Sequence, residues 1–162
     1  MRIWIDADAC PGPIRDIVLR AAIKLSIPIV FVANKLLTLP NSPTVSFVHV
    51  EQGPDVVDAY IVAHSEAGDL VVTQDIPLAA DLVHRDVTVL SPRGDSFNSD
   101  NIGDRLASRN LLHDLRDTGE ITGGPRPFDD KTKRLFANLF DAELQRLIRH
   151  ERKRAQRDAL SD

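Results

Sequence analysis

Two uninterrupted apolar runs, Ile3-Trp4-Ile5 and Pro28-Ile29-Val30-Phe31-Val32-Ala33, stand at either end of an amphipathic stretch in the first 33 residues. Runs rich in β-branched and aromatic residues, with no polar alternation, suit strands buried on both faces of a parallel sheet. Between them Ile14, Ile17, Val18, Ala21, Ala22 and Leu25 recur at the i, i+3, i+4, i+7 spacing of a helix, with Pro11 or Pro13 tolerated in its first turn. Parallel neighbours need a crossover of this size and cannot be joined by a hairpin. The opening of the chain is therefore a βαβ unit, which restricts the fold to the α/β class.

The pattern continues downstream. Residues 34 to 44 carry two prolines and no helical period, so they read as a loop, short for a parallel crossover. Val45 to Val50 has strand character. Gly53-Pro54-Asp55 opens a helix bearing Val56, Val57, Tyr60, Ile61 and His64, with Gly68 as its expected stop. Leu70 to Thr73 is a second unambiguous buried strand. A short helix through Leu78, Ala79, Leu82 and Val83 then leads to the strand Val87 to Leu90. The order β-α-β-β-α-β-α-β over residues 1 to about 91 predicts a three-layer α/β/α sandwich with a mostly parallel sheet. Two C-terminal helices should follow. Ile102, Leu106, Leu111, Leu112 and Leu115 mark one that ends near Gly119, and Leu135, Phe136, Leu139, Phe140, Leu144, Leu147 and Ile148 mark the other. Between them, residues 118–130 hold three glycines and two prolines, the composition of a functional flap. Residues 1–150 are expected to form one domain, with 151–162 as a basic helix end or tail.

At 162 residues the chain can bury a substantial single core. Its single cysteine excludes an intramolecular disulfide framework and fits a reducing compartment. No apolar run approaches membrane-spanning length and no basic segment precedes an apolar leader, so a cytoplasmic protein with no membrane partner is expected. A net charge of −4 provides no global footprint for nucleic acid. A polyanion would have to be held by a local basic patch or through a bound cation.

Polar residues fall repeatedly just beyond strand ends: Asp6 and Asp8 after the first, Asn34 after the second, Asp75 after the fourth and Arg93 after the fifth. Asp55 and Asp58 join them at the start of the helix after the third strand. The carboxyl ends of the strands are where open α/β sheets bind ligands. Asp6 and Asp8 are two apart and share one face if the chain stays extended. Several carboxylates at one sheet edge repel one another unless a hard cation neutralises them, and oxygen-only candidates favour Mg²⁺ or Mn²⁺ over zinc. Capping offers a plainer account of some of these acids. Asp8 lies just before a helix, Asp55 and Asp58 open one, and Asp75 precedes Ile76-Pro77. Capping does not explain Asp6, at the end of a buried strand.

The weaker candidates each have a plain structural role. Arg93 either clamps phosphate or pairs with the acids, and Arg105 and Arg109, one turn apart, either extend that clamp or form a solvated face. Cys10 at a helix start reads as a small packed thiol and His64 as part of a packed helix. Arg146, Arg149, Lys153 and Arg157 line one side of the last helix, but Glu143, Glu151 and Asp158 are interspersed, as on an ordinary solvated helix.

The segments Ile5-Asp6-Ala7-Asp8-Ala9-Cys10-Pro11, Ala33-Asn34, Ala67-Gly68-Asp69-Leu70-Val71-Val72-Thr73, Asp75-Ile76-Pro77-Leu78-Ala79, Pro92-Arg93-Gly94 and Thr122-Gly123-Gly124-Pro125 together resemble the YaiI/YqxD family over roughly residues 2 to 148. That family is similar in turn to PIN and NYN nuclease domains. The resemblance implies a PIN-like strand order 3-2-1-4-5, an acidic Mg²⁺ or Mn²⁺ site, and Asp6 facing Asp75 across neighbouring strands.

Three functions are in competition. The first is a divalent-metal-dependent nuclease acting on RNA, with Asp6, Asp8 and Asp75 as catalytic residues and Asp55 and Asp58 completing the metal shell. Asn34, Arg93, Arg105 and Arg109 are its expected substrate contacts. The second is an aspartyl-phosphate phosphatase, because the strand-Asp-x-Asp pattern also looks like the first motif of the haloacid-dehalogenase type. There Asp6 would be the nucleophile and Asp8 the general acid, with Thr73 supplying the required hydroxyl but no evident strand-end lysine beyond Lys35. The third is a non-catalytic RNA-binding module that retained the fold.

Overall fold

The structure is a computed structural model and describes residues 1–119 and 128–161. Strands β1 (Ile3–Asp6), β2 (Ile29–Ala33), β3 (Val45–His49), β4 (Leu70–Val72), β5 (Thr88–Leu90) and β6 (Ser96–Phe97) form one sheet in the order β3-β2-β1-β4-β5-β6. The first five are parallel, and β6 runs antiparallel beside β5. Helices α1 (Gly12–Leu25), α2 (Val56–His64), α3 (Ile76–Val83), α4 (Ile102–Asp117) and α5 (Asp130–Ser161) complete the described elements. Among the described residues no helix is long and apolar enough to cross a membrane.

Strand parity sorts the core into two layers, because successive side chains point to opposite faces. Ile3, Ile5, Ile29, Phe31, Leu70, Val72 and Leu90 pack against α1 and α5, where Ile14, Val18, Phe136, Phe140 and Leu144 meet them. Trp4, Val30, Val32, Val71 and Val89 face the other way, toward Val57 and Ile61 of α2, Leu78 and Leu82 of α3 and Ile102 of α4. The result is the expected three-layer α/β/α sandwich with a mostly parallel sheet. The resemblance-based order 3-2-1-4-5 holds, with β6 added at the edge.

Three local features depart from the sequence reading. Strand β6 was not foreseen, since two residues in a polar stretch carry no periodic signal. It arises from a tight turn in which Gly94 adopts φ 90° and a Cβ there would lie 2.8 Å from Leu135 Cβ, so only glycine fits. Helix α2 ends at His64, not Gly68. Ser65 swings to an extended conformation, and Gly68 (φ 92°) serves the turn into β4. Finally, Asp6 and Asp8 do not share a strand face, because the chain leaves extended geometry at Ala7. The flap expected over 118–130 and the Thr122 to Pro125 motif fall largely or wholly on residues 120–127, outside the described residues.

At the amino ends of the strands, buried Asp69 accepts the Trp4 indole N–H at 3.0 Å and the backbone N–H groups of Arg2 and Glu66, each at 2.9 Å. Three donors satisfy a carboxylate that would otherwise be costly to bury. They also fix β1 against β4, which sets the opposite ends of those strands side by side.

Candidate active site: an acidic crevice at the switch point

The sheet order reverses between β1 and β4, whose helices leave on opposite faces, and a crevice opens beyond their carboxyl ends. Asp6, the last residue of β1, shares the parity of Trp4 and so lies on the side of α2 and α3. It is only 6 % exposed. Thr73, the first residue past β4, donates its hydroxyl to Asp6 Oδ2 at 2.9 Å, while Thr73 Oγ1 accepts the backbone N–H of Asp75 at 3.0 Å. One threonine thus holds both aspartates. Gln74 ties the same turn to the β1–α1 connection, its Nε2 donating to Ala9 O at 2.8 Å.

Asp75 is the N-cap of α3, accepting the Leu78 N–H on Oδ1 at 2.9 Å. The capping account of this residue is therefore correct, and it leaves the second carboxylate oxygen for another role. Asp55 behaves differently. It occupies the N-cap position of α2 with φ 63°, a left-handed conformation aspartate tolerates, and its side chain makes no capping hydrogen bond. Capping accordingly does not account for the Asp55 carboxylate. Asp58, in the first turn of α2, matches the positive end of the helix dipole.

The carboxylates of Asp55, Asp58 and Asp75 each present an oxygen within 4.8 Å of the others. Opposite oxygens of a Mg²⁺ octahedron lie about 4.2 Å apart, twice the ~2.1 Å bond length. Neighbouring oxygens of the same octahedron lie about 3.0 Å apart, so the three carboxylates would have to close in around such an ion, and an all-oxygen anionic donor set suits it. Electrostatics tells the same story. The Asp58 carboxyl is pushed up to about 7 by burial first, then by the charge of Asp75, a hydrogen bond to Asp75, and the charges of Asp6 and Asp55. Below about pH 7, with no cation present, Asp58 thus holds a proton that it can donate toward Asp75. Asp6 is raised to about 6, mainly by burial, with Asp75 and Asp8 adding repulsion and the Thr73 hydrogen bond opposing them.

The remaining predicted residues occupy the rim or lie elsewhere. Exposed Asp8 accepts the Asn34 backbone N–H on Oδ2 at 2.8 Å, and Asn34 O faces His49 Nε2 at 3.1 Å, so Asp8 and Asn34 knit together the ends of β1, β2 and β3. Arg93 lies half-buried in the β5–β6 turn, where its backbone N–H donates to Ser91 Oγ at 3.1 Å. Arg105 pairs with Asp95 at 3.4 Å and sits 5.9 Å over the Phe97 ring. Exposed Arg109 donates to its neighbour Asn110 at 3.3 Å. Cys10 is buried and its thiol is pushed up to about 12 by desolvation, as suits an inert packed residue.

Thr73 is the site residue that the nuclease reading of the sequence missed. Its signal was a hydroxyl at the end of an apolar strand two residues before Asp75.

A profile of the family described as "Uncharacterized BCR, YaiI/YqxD family" matches residues 4–146. Among curated proteins, a "UPF0178 protein" of Syntrophobacter fumaroxidans is 53 % identical over 144 residues, covering 89 % of this chain and 94 % of the relative. Relatives of the same description from Myxococcus xanthus and Psychromonas ingrahamii are 50 % and 52 % identical, over 94 % and 90 % of this chain and 100 % and 97 % of theirs. No solved structure matches the chain.

Proposed function

The chain belongs to the YaiI/YqxD family, and from that premise we propose that it is a divalent-metal-dependent nuclease that hydrolyses phosphodiester bonds, with RNA as its substrate. The observation that carries this reading is the convergence of Asp55, Asp58 and Asp75 within 4.8 Å beside buried Asp6. Like charges this close cost stability unless a cation joins them.

In this reading Asp58 and Asp75 would hold Mg²⁺ or Mn²⁺, with Asp55 at the open rim and Asp6 beneath. The ion would supply a bound water of lowered pKa and would shield charge on the phosphate. Asp75 is positioned by its own cap and by Thr73, so its free oxygen is aimed before any ligand arrives. Asp6, buried and held by Thr73, would add negative charge beneath the ion without touching substrate. Asp8, spent on Asn34, supports the rim.

The aspartyl-phosphate alternative fits less well. It needs Asp6 as an accessible nucleophile, whereas Asp6 is 6 % exposed with one oxygen taken by Thr73. Its general acid, Asp8, is engaged by Asn34. Incubation of a single-stranded RNA with wild type, Asp58→Asn and Asp75→Asn, with and without Mn²⁺, tests the proposal. Cleavage only by wild type and only with metal is expected. Metal binding without cleavage would leave a non-catalytic RNA-binding module, and a trapped acyl phosphate on Asp6 would install the phosphatase.

A further inference from the structure

The two edges of the sheet are built differently. β6 is two residues long, the ion pair of Asp95 with Arg105 flanks it, and the Arg105 guanidinium lies over its Phe97 ring. β3, at the other edge, runs for five residues, Val45-Ser46-Phe47-Val48-His49, without a lysine, carboxylate, proline or bulge. Short length, charge, proline and bulges are the devices that keep an edge strand from pairing with another chain. β3 carries none of them. The proline and the charge nearest to it in sequence, Pro43 and Glu51, both lie outside the strand.

The backbone of β3 is left half-paired. Ile29 donates its N–H to Thr44 O, and Val50 donates to Ala33 O, each at 2.9 Å. Orientation alternates along a strand, so Ser46 and Val48 face β2 in the same way, while Val45, Phe47 and His49 turn their N–H and C=O groups outward. The Val45 N–H curls back to Ser42 O at 3.1 Å. Among the described residues, the Val45 C=O and both backbone groups of Phe47 and His49 have no protein partner. The side chains beside this edge are apolar and only half covered. Val45 and Phe47 lie on the α1 and α5 face with Leu37 and Leu39, and Val48 lies on the other face.

We propose that β3 pairs with β3 of a second copy of this chain, antiparallel about a two-fold axis at Phe47, so that one sheet runs through a homodimer. The edge is self-complementary in that register. The two Phe47 residues exchange both N–H···O bonds, with Cα atoms about 5.5 Å apart, and each His49 N–H meets the partner's Val45 C=O. Ser46 comes opposite Val48 and Pro43 opposite Glu51, so no like charges are brought together across the pair. A two-fold contact of one patch with itself is also the commonest way in which soluble chains associate. The carboxyl ends of the strands point in opposite directions in the two copies, so the acidic crevices open at opposite ends of the joined sheet. The dimer does not depend on what those crevices bind.

Sedimentation equilibrium of the full chain in EDTA, over a dilution series, should show a reversible monomer–dimer equilibrium. Ser46→Lys places a cation at an exposed position of the edge. His49→Pro removes an outward N–H and leaves the β2 ladder intact, which an edge strand tolerates. Each should weaken dimerisation at least about fivefold, since His49→Pro deletes one hydrogen bond from each chain, and neither should unfold the monomer. Hydrogen exchange reads the register directly. The amides of Ser46 and Val48 should be protected at every dilution, whereas those of Phe47 and His49 gain protection only as the dimer forms. A monomer at every concentration overturns the proposal. So does a dimer that leaves the Phe47 and His49 amides unprotected, or one that both substitutions leave unchanged. If His49→Pro fails to fold, Ser46→Lys and the exchange pattern decide.

Discussion

Replacing Asp6 by asparagine should stabilise the metal-free protein above neutral pH while reducing its stabilisation by metal. Burial and the charges of Asp75 and Asp8 raise the Asp6 pKa from 3.8 to about 6. At about 1.4 kcal/mol per pH unit, keeping Asp6 ionised in the folded state costs about 3 kcal/mol. At pH 4 the folded form holds this proton and the unfolded form has only begun to release it, so little of the penalty is felt. Between pH 3.8 and about 6 the unfolded chain releases the proton and the folded one retains it, so stability falls as pH rises. Above about 6 the penalty is complete. Asparagine keeps an acceptor for the Thr73 hydroxyl but buries a new amide donor, which returns roughly 1 kcal/mol. The net gain at pH 8 is about 1–3 kcal/mol, or roughly 3–10 °C in melting temperature for a chain of this size, and close to nothing at pH 4. Mn²⁺ at a hundred times its Kd should raise the stability of the wild type by about 2.7 kcal/mol and that of the mutant by less, because an anion beneath the ion has been removed. Thermal melts at both pH values, in EDTA and in Mn²⁺, measure all four quantities. A gain equal at pH 4 and pH 8, a loss at pH 8, or an unchanged metal response would refute the electrostatic reasoning.

Asp75 separates capping from ligation. Asp75→Asn keeps the α3 cap and should lose metal affinity with little change in stability, whereas Asp75→Ala should cost a further ~1 kcal/mol in the metal-free melt. Because Asp58 holds a proton up to about pH 7, apparent Mn²⁺ affinity should fall as pH drops from 8 to 5.5, with proton release on binding visible by calorimetry in buffers of different ionisation enthalpy. Cys10→Ser should leave the fold and metal affinity nearly unchanged, and the native thiol should resist alkylation at pH 8 until the protein is unfolded. Deleting the residues after Arg149 removes only exposed positions of α5, so the chain should still fold and bind metal. Its affinity for polynucleotide should fall modestly, with a shallower salt dependence.

The βαβ opening was legible because burial on both faces forces an uninterrupted apolar run, and Ile3 to Ile5 and Ile29 to Ala33 are of that kind. Asp6 was legible for the complementary reason, a carboxylate ending such a run with no helix to cap. The pairing of Asp6 with Asp8 was not, because spacing in sequence becomes spacing on a face only while the strand persists, and β1 ends at Asp6. Whether Asp55 or Asp58 capped α2 was equally closed to sequence. The answer depends on the left-handed backbone at Asp55, which turns the residue that looks most like a cap away from capping.

The central claim is that Asp55, Asp58 and Asp75 converge, beside Asp6, to hold a divalent cation. Anomalous diffraction from crystals soaked in Mn²⁺ at pH 8 tests it most directly. The expected result is a peak bonded to carboxylate oxygens of Asp58 and Asp75 at about 2.1–2.2 Å, within reach of Asp55 and Asp6, that vanishes in Asp58→Asn crystals. A soak with no peak in this crevice, or one whose Mn²⁺ lies elsewhere and persists in Asp58→Asn, would contradict it.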